Sequence, residues 1–193
     1  TNSFSLKKIV DYLFSNGCDM TIFGEPERRV DEIIKCLSEN KSLNHIPGIA
    51  YIENDKIKIN EHGKFDDDLD NLPFPLWEKF NMKGYWKIGF AHAPIKKNKK
   101  FLPILSSRGC PYRCKFCVSP TLNPNWRKRS PKNVVDEMQH LHEKLDIVDF
   151  HFSDLDPTVN EKRIVEMCKE IISRNLKFEW KLSQGTKMET VKN

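Results

Sequence analysis

Three short apolar runs, separated by amphipathic stretches, constrain this chain more than any other feature. Phe101 to Ser106, Ile147 to Phe152 and Leu176 to Leu182 each read as a strand. After the first, Ser130 and Pro131 open a predicted helix. Ser130 suits the N-cap and Pro131 the first helical position, where its missing N–H would have been unpaired anyway. Val134, Val135, Met138, Leu141 and Leu145 supply that helix with an apolar face. Asn160 is placed to cap a second helix, whose apolar side is Ile164, Val165, Cys168, Ile171 and Ile172. Strand–helix–strand–helix–strand predicts a parallel sheet, of barrel or open type, with right-handed crossovers and helices packed outside. The sequence stops at Asn193, where a further helix would begin.

Upstream the pattern is different. Met20 to Phe23 reads as a short buried strand, followed by Gly24-Glu25-Pro26-Glu27. Val30, Ile33, Ile34 and Leu37 then recur at helical spacing, and Pro26 suits the first turn. Gly48 to Ile52 and Ile57 to Ile59 flank Asn54-Asp55-Lys56, the signature of a hairpin. Residues 60–100 read as a connector, with the acidic run Asp66-Asp67-Asp68, the segment Leu72-Pro73-Phe74-Pro75 and a short helix near Trp77 to Phe80. The expected organisation is therefore 1–60 as a small α/β domain, 61–100 as a linker and 101–193 as the parallel α/β part.

Composition limits the classes available. With 38% hydrophobic and 31% charged residues, the chain can bury a core and is not of disordered composition. It holds no apolar run of about 18 residues, so no transmembrane helix is expected. The first twenty residues lack the apolar stretch and cleavage site of a signal peptide. They also lack an initiator Met, which points to a chain that begins inside a longer one. The net charge of +5 is modest. Lys96, Lys97, Lys99 and Lys100 read as a solvated face, and no nucleic-acid partner is expected.

Six cysteines are present, and three of them, Cys110, Cys114 and Cys117, fall within eight residues. Nothing suggests secretion, so the clustering reads as metal ligation in a reducing, cytoplasmic setting rather than as a disulfide framework. Three thiolates on one tight loop can hold three corners of an iron–sulfur cube, leaving one iron open to another molecule. Two other readings stand beside it. A zinc module would want a fourth Cys or His at close range; His140 and His142 fall on the predicted helix. An electron-transfer or structural iron–sulfur protein would want a fourth cysteine, and Cys168 falls on the apolar side of the second helix.

Cys110-x3-Cys114-x2-Cys117, with Phe116 before the last cysteine, resembles the radical S-adenosylmethionine (SAM) superfamily. The setting Pro103-Ile-Leu-Ser-Ser-Arg-Gly-Cys-Pro-Tyr-Arg-Cys-Lys-Phe-Cys117 is similar to its cobalamin-binding branch. That branch includes anaerobic magnesium-protoporphyrin cyclases, hopanoid-modifying enzymes and many methyltransferases. Trp126-Arg-Lys-Arg-Ser-Pro131, Phe152-Ser-Asp-Leu-Asp156 and Gln184-Gly185-Thr-Lys187 are further similar pieces. Gly24-Glu25-Pro26-Glu27, Gly48-Ile-Ala-Tyr and Asp70-Asn-Leu-Pro-Phe-Pro75 resemble the tail of the branch's cobalamin domain and its linker.

The resemblance implies a fold and a chemistry. Residues 101–193 would be a partial (βα) barrel of about three units, preceded by the C-terminal remnant of a Rossmann-like cobalamin-binding domain. Cys110, Cys114 and Cys117 would hold a [4Fe-4S] cluster, and the amino and carboxylate groups of SAM would chelate the open iron. One-electron reduction would split SAM into methionine and a 5′-deoxyadenosyl radical, for methyl transfer or cyclisation at an unactivated carbon. Phe116 would lie beside the adenine. Ser153, Asp154 and Asp156 would meet the methionine amino group, although the family's glycine-rich form of that segment is absent. Gln184 and Lys187 would line the same site, and Gly24 and Glu25 would touch cobalamin. No Asp-x-His-x-x-Gly motif is present to supply a histidine to cobalt. No catalytic residue beyond the cluster is expected. The implied partners are a small-molecule or lipid-like substrate and a reductant such as ferredoxin or flavodoxin. SAM cleavage by a chain with three strand–helix units at most is expected to be weak or absent.

Overall fold

The structure is a computed structural model and describes residues 3–89, 91, 95, 99–119, 125–187 and 189. Lys96 and Lys97, expected in the solvated lysine face, lie outside the described residues. The chain divides into two compact units, residues 1–66 and 67–193. Among the described residues, no helix is long and apolar enough to cross a membrane.

The first unit contains helix α1 (Ser3–Ser15), strand β1 (Met20–Ile22), helix α2 (Glu27–Ser38), and strands β2 (Ile49–Glu53) and β3 (Lys56–Ile59). The hairpin read from the sequence is present: β2 and β3 pair antiparallel from Ala50↔Ile59 to Glu53↔Lys56. Its turn residues Asn54 and Asp55 both have positive φ, 51° and 59°. Two successive left-handed residues match the right-handed twist of the strands they join, and Asn and Asp tolerate that conformation well. β1 also pairs antiparallel with β2, so the three strands form one antiparallel sheet in the order β1-β2-β3. The strand–turn–helix at residues 20–37 is as expected, but β2 returns beside β1 in the opposite direction.

Helix α2 turns a different face inward from the one its apolar spacing suggests. Arg29, Ile33 and Cys36 are buried, whereas Val30, Ile34 and Leu37 are exposed, Ile34 to 60%. Ile33 and Cys36 pack with Leu43, Ile46, Ile49 and Tyr51. Arg29 joins that face because its guanidinium donates to the Phe23 carbonyl and lies against Gly48 and Gly63.

The second unit is built on a three-stranded parallel sheet. Strand β4 (Leu102–Ile104) pairs with β7 (Asp149–Phe152), and β7 with β8 (Glu179–Leu182), both parallel. The crossovers carry helices α4 (Pro131–Leu145) and α5 (Glu161–Ser173). Both predicted caps form: Ser130 Oγ accepts from the Asn133 N–H at 3.1 Å, and Asn160 Oδ1 from the Arg163 N–H at 2.9 Å. Alternate strand residues Leu102, Ile104, Phe150 and Phe152 join Val134, Val135, Met138 and Leu141 of α4 and Met167 and Ile171 of α5 in one core.

Three details depart from the sequence reading. On α5 the buried series is Arg163, Met167 and Ile171, one helical turn apart, while Val165 and Ile172 are exposed, Ile172 to 75%. The first predicted strand, Phe101 to Ser106, is shorter than expected. β4 ends at Ile104, and a two-residue strand β5 (Ser107–Arg108) leaves the sheet to pair antiparallel with β6 (Arg127–Lys128). The expected linker 61–100 is partly structure of the second unit. Helix α3 (Met82–Ile88), capped by Asn81, buries Trp86, whose indole N–H donates to the Phe101 carbonyl at 2.8 Å. Leu69 is buried, and Asp70 Oδ1 accepts from the Ser130 N–H at 2.8 Å. The boundary therefore falls inside the acidic run, between Asp66 and Asp67.

Lysines 99 and 100 are likewise less free than expected. Lys99 bridges Asp149 at 3.0 Å and Glu179 at 2.5 Å, joining the N-terminal ends of β7 and β8. These acidic partners raise the Lys99 pKa.

Candidate metal centre

The β5–β6 pair closes a loop, residues 109–126, at the C-terminal end of β4. This is the edge at which parallel α/β sheets build their sites, because the loops there face one another around the strand ends. Of this loop, residues 120–124 lie outside the described residues. Gly109, with φ of 79°, turns the chain into Cys110 in a conformation other residues rarely adopt. Cys110 is half-exposed and Cys114 and Cys117 are exposed, and all three are free thiols. The Cys117 N–H donates to the Cys114 carbonyl at 3.0 Å, which folds the last two cysteines over one turn. The Ser119 N–H lies 3.4 Å from Cys117 Sγ.

Among the described residues, no three His, Cys, Asp or Glu side chains converge as a single-ion site. Three exposed or half-exposed thiols within eight residues of one loop, one of them already receiving a backbone N–H, form a donor set that fits an iron–sulfur cube. Thiolates hold such cubes at separate corners, and hydrogen bonds to sulfur tune them.

The root of the loop is held by buried charge. Asp154 is 1% exposed and accepts from Ser106 N at 3.0 Å, Ser106 Oγ at 2.7 Å and Ser107 Oγ at 2.5 Å. Arg163 donates through Nη2 to the Ser106 carbonyl at 2.6 Å and through Nε to the Arg129 carbonyl at 2.9 Å. Arg129 Nη1 donates to the Leu105 carbonyl at 2.9 Å and to Glu137 Oε2 at 2.5 Å. Burial pushes the Arg163 pKa down, against the pull of Asp154. It pushes Glu137 up, against the pull of Arg129.

A second clasp joins the loops after β7 and β8. Asp156 Oδ1 accepts from Thr158 N at 3.0 Å, Thr158 Oγ1 at 2.9 Å and Thr186 Oγ1 at 3.0 Å. Its Oδ2 accepts from Lys187 N at 3.2 Å. Lys187 Nζ in turn stands 4.6 Å from the centroid of the Tyr112 ring, in the cysteine loop. The phenol of Tyr112 is raised by burial and by the neighbouring Asp156 carboxylate.

The structure thus brings Cys110, Cys114, Cys117, Phe116, Ser153, Asp154, Asp156, Gln184 and Lys187 to one edge of the sheet, in different situations. Phe116 is 94% exposed. Ser153 is half-buried, its N–H extends the ladder to the Ile104 carbonyl, and its Oγ lies 3.5 Å from the His151 carbonyl. Gln184 and Lys187 are exposed. Asp154 departs from expectation: its carboxylate faces the root of the cysteine loop, with both oxygens occupied, and is not presented to a ligand. Gly24 and Glu25 belong to the first unit. Gly24 has a φ of 86°, and Glu25 is half-buried and engaged in an interaction. Sequence reasoning missed Ser106, Ser107, Arg129, Glu137, Arg163, Thr158 and Thr186. Arg163 left one signal: it stands four residues before Met167 and eight before Ile171, on the helix stripe that the core covers.

The sequence profile of the Radical SAM superfamily matches residues 104–190. An uncharacterized methyltransferase of Pyrococcus horikoshii is 29% identical over 166 residues, covering 86% of this chain and 34% of that protein. The anaerobic magnesium-protoporphyrin IX monomethyl ester cyclase of a Synechocystis strain is 29% identical over 163 residues, 82% of this chain and 30% of the cyclase. Among solved structures, the radical SAM methyltransferase TsrM of Kitasatospora setae, with cobalamin and a [4Fe-4S] cluster bound, superposes with a TM-score of 0.58. The identity is 21%, over 84% of this chain and 31% of TsrM, so this likeness speaks for the fold. The chain spans about a third of the length of these relatives. Residues 104–190, which carry the three-cysteine loop on a parallel α/β sheet, thus match the radical SAM superfamily.

Proposed function

We propose that this chain is the cluster-bearing part of a radical SAM enzyme that acts with cobalamin in methyl transfer or cyclisation. The observation that carries the reading is the loop of three accessible thiols, closed by the β5–β6 pair, at the C-terminal edge of a parallel sheet. Cys110, Cys114 and Cys117 would hold a [4Fe-4S] cluster, which when bound supplies the electron that cleaves SAM. The chain's own part is to orient and to enclose. The Ser119 N–H steadies the Cys117 sulfur. The Asp156 clasp keeps the loop bearing Lys187 beside the loop bearing Tyr112. Ser153, Gln184 and the exposed Phe116 would serve the polar and adenine ends of SAM at the same edge of the sheet.

Cobalamin enters the proposal through the cobalamin-bound relative and the family pieces at Gly24, Glu25 and Gly48. A four-cysteine electron carrier finds no support. Cys168 sits half-buried on α5, and burial raises its pKa, which disfavours the thiolate that a ligand must be. Anaerobic reconstitution with iron and sulfide tests the reading. The account expects about four irons and four sulfides per chain, lost in Cys114→Ala. Stoichiometric zinc in the native chain, or a full cube in Cys114→Ala, would overturn it.

A further inference from the structure

The structure assigns to Asp154 a role other than ligand binding: we propose that it is the positioning residue of the cysteine loop, acting with Arg163 and Arg129 as a three-point mount. The inference deepens the proposed function and rests on it for its meaning, because what the mount would orient is the cluster.

The β4–β7 ladder closes with the Ser153 N–H on the Ile104 carbonyl at 2.9 Å. Beyond Ile104 the chain leaves the sheet, and the peptide groups of residues 105–107 lose their parallel partners. Each described replacement comes from a charged side chain or from the stem itself. The Leu105 carbonyl is held by Arg129, Ser106 N and Oγ by Asp154, the Ser106 carbonyl by Arg163 and by the Arg129 N–H, and Ser107 Oγ by Asp154 again. The three charged residues come from three places in the fold: the end of β6, the turn after β7 and the first turn of α5. Three anchors from independent elements fix orientation as well as position. One anchor would leave the segment free to pivot.

The lever from this mount to the first thiolate is short. Cys110 follows Ser107 by three residues, a reach of at most about 11 Å of extended chain, so a tilt at Ser107 is passed on to the cluster. The mount also carries charge. Asp154 is a buried carboxylate whose hydrogen bonds are charge-assisted and therefore directional. Removing its negative charge beneath the loop should make the cluster easier to reduce. A residue that merely contributed to stability would not move that property.

The test compares the native chain with Asp154→Asn and Ser107→Ala. In the metal-free proteins, hydrogen exchange is followed over residues 105–119, with residues 20–59 as the internal reference. After anaerobic reconstitution, iron loss to a chelator and the midpoint potential of the cluster are measured. Asp154→Asn should speed exchange over 105–119 and leave 20–59 unchanged. It should lose iron about tenfold faster, the factor expected when a charge-assisted hydrogen bond is lost, and raise the potential. Ser107→Ala should move the first two readouts in the same direction by less. Asp154→Asn that lowers stability while loop exchange, iron loss and potential match the native chain overturns the proposal. If Asp154→Asn fails to fold, Ser107→Ala decides, and native-like exchange and iron loss in it overturn the proposal. A native chain that takes up no cluster defeats the proposed function instead, and exchange over 105–119 still decides whether Asp154 mounts the loop.

Discussion

Removing either partner of the buried Arg129–Glu137 pair should destabilise the second unit, and the two losses should differ in their response to pH. Glu137 is 2% exposed and receives Arg129 Nη1 at 2.5 Å. Breaking a buried pair from one side costs about 3–5 kcal/mol, because the remaining charge stays desolvated. In Glu137→Ala the guanidinium keeps the Leu105 carbonyl, both acceptors of Asn133 and the Phe74 ring 5.5 Å away. The low end, about 3 kcal/mol, is therefore expected, with little change between pH 5 and 8, since arginine does not titrate there. In Arg129→Met the residue left behind is a carboxyl that can neutralise itself. Burial already raises the pKa of Glu137, and loss of Arg129 removes the main opposing pull. A folded value above the unfolded one means that folding takes up a proton. That contribution is fully present below the unfolded value and is lost as pH rises through the folded one. Arg129→Met should thus fall further below the native chain at pH 8 than at pH 5, by about 1.4 kcal/mol for each pH unit of the window crossed. Urea unfolding followed by tryptophan fluorescence reads this unit selectively, because Trp77, Trp86, Trp126 and Trp180 all lie in it. Equal pH dependence in the two variants, or a cost under about 1 kcal/mol in both, would refute the reasoning.

Three smaller perturbations test other joints of the structure. Asp156→Ala should cost about 2–3 kcal/mol and speed exchange at the Thr158 and Lys187 amides, which both donate to that carboxylate. Gly48→Ala should destabilise the first unit by about 1–2 kcal/mol, read by thermal circular dichroism. Its φ is +68°, and an added Cβ would stand 2.7 Å from the Arg29 guanidinium. Asn160→Ala should remove the cap of α5 and lower the urea midpoint by the equivalent of about 1 kcal/mol.

Much of this was legible because it is local. The caps of α4 and α5, the Asn54-Asp55 turn and the strand–helix alternation depend on residues within a few positions of one another, and crossover length forces β4, β7 and β8 to run parallel. What could not be read depends on distant partners. Nothing near Met20 to Ile22 reveals that β2 returns antiparallel beside it. Val30, Ile34 and Leu37 have the spacing of a core stripe, yet Arg29 and Cys36 take the inner face because Gly48 and Gly63 leave room for a guanidinium there. Asp154 is the sharpest case. A carboxylate just after a parallel strand suits a ligand or a clamp equally well, and the deciding partner, Ser106, lies 48 residues earlier in the chain. Residues 67–88 read as linker because of the acidic run and the Pro-rich segment Leu72-Pro73-Phe74-Pro75, although Leu69 and Trp86 are buried in the second unit.

The central claim is that three cysteines hold a cube and leave one iron to SAM. Mössbauer spectroscopy of the chain reconstituted anaerobically with enriched iron, recorded before and after SAM is added, addresses that iron directly. The account predicts that SAM shifts the signal of about one iron in four and leaves the rest unchanged, the mark of a single site without a protein thiolate. A spectrum that SAM does not alter, or four irons that respond alike, would contradict it.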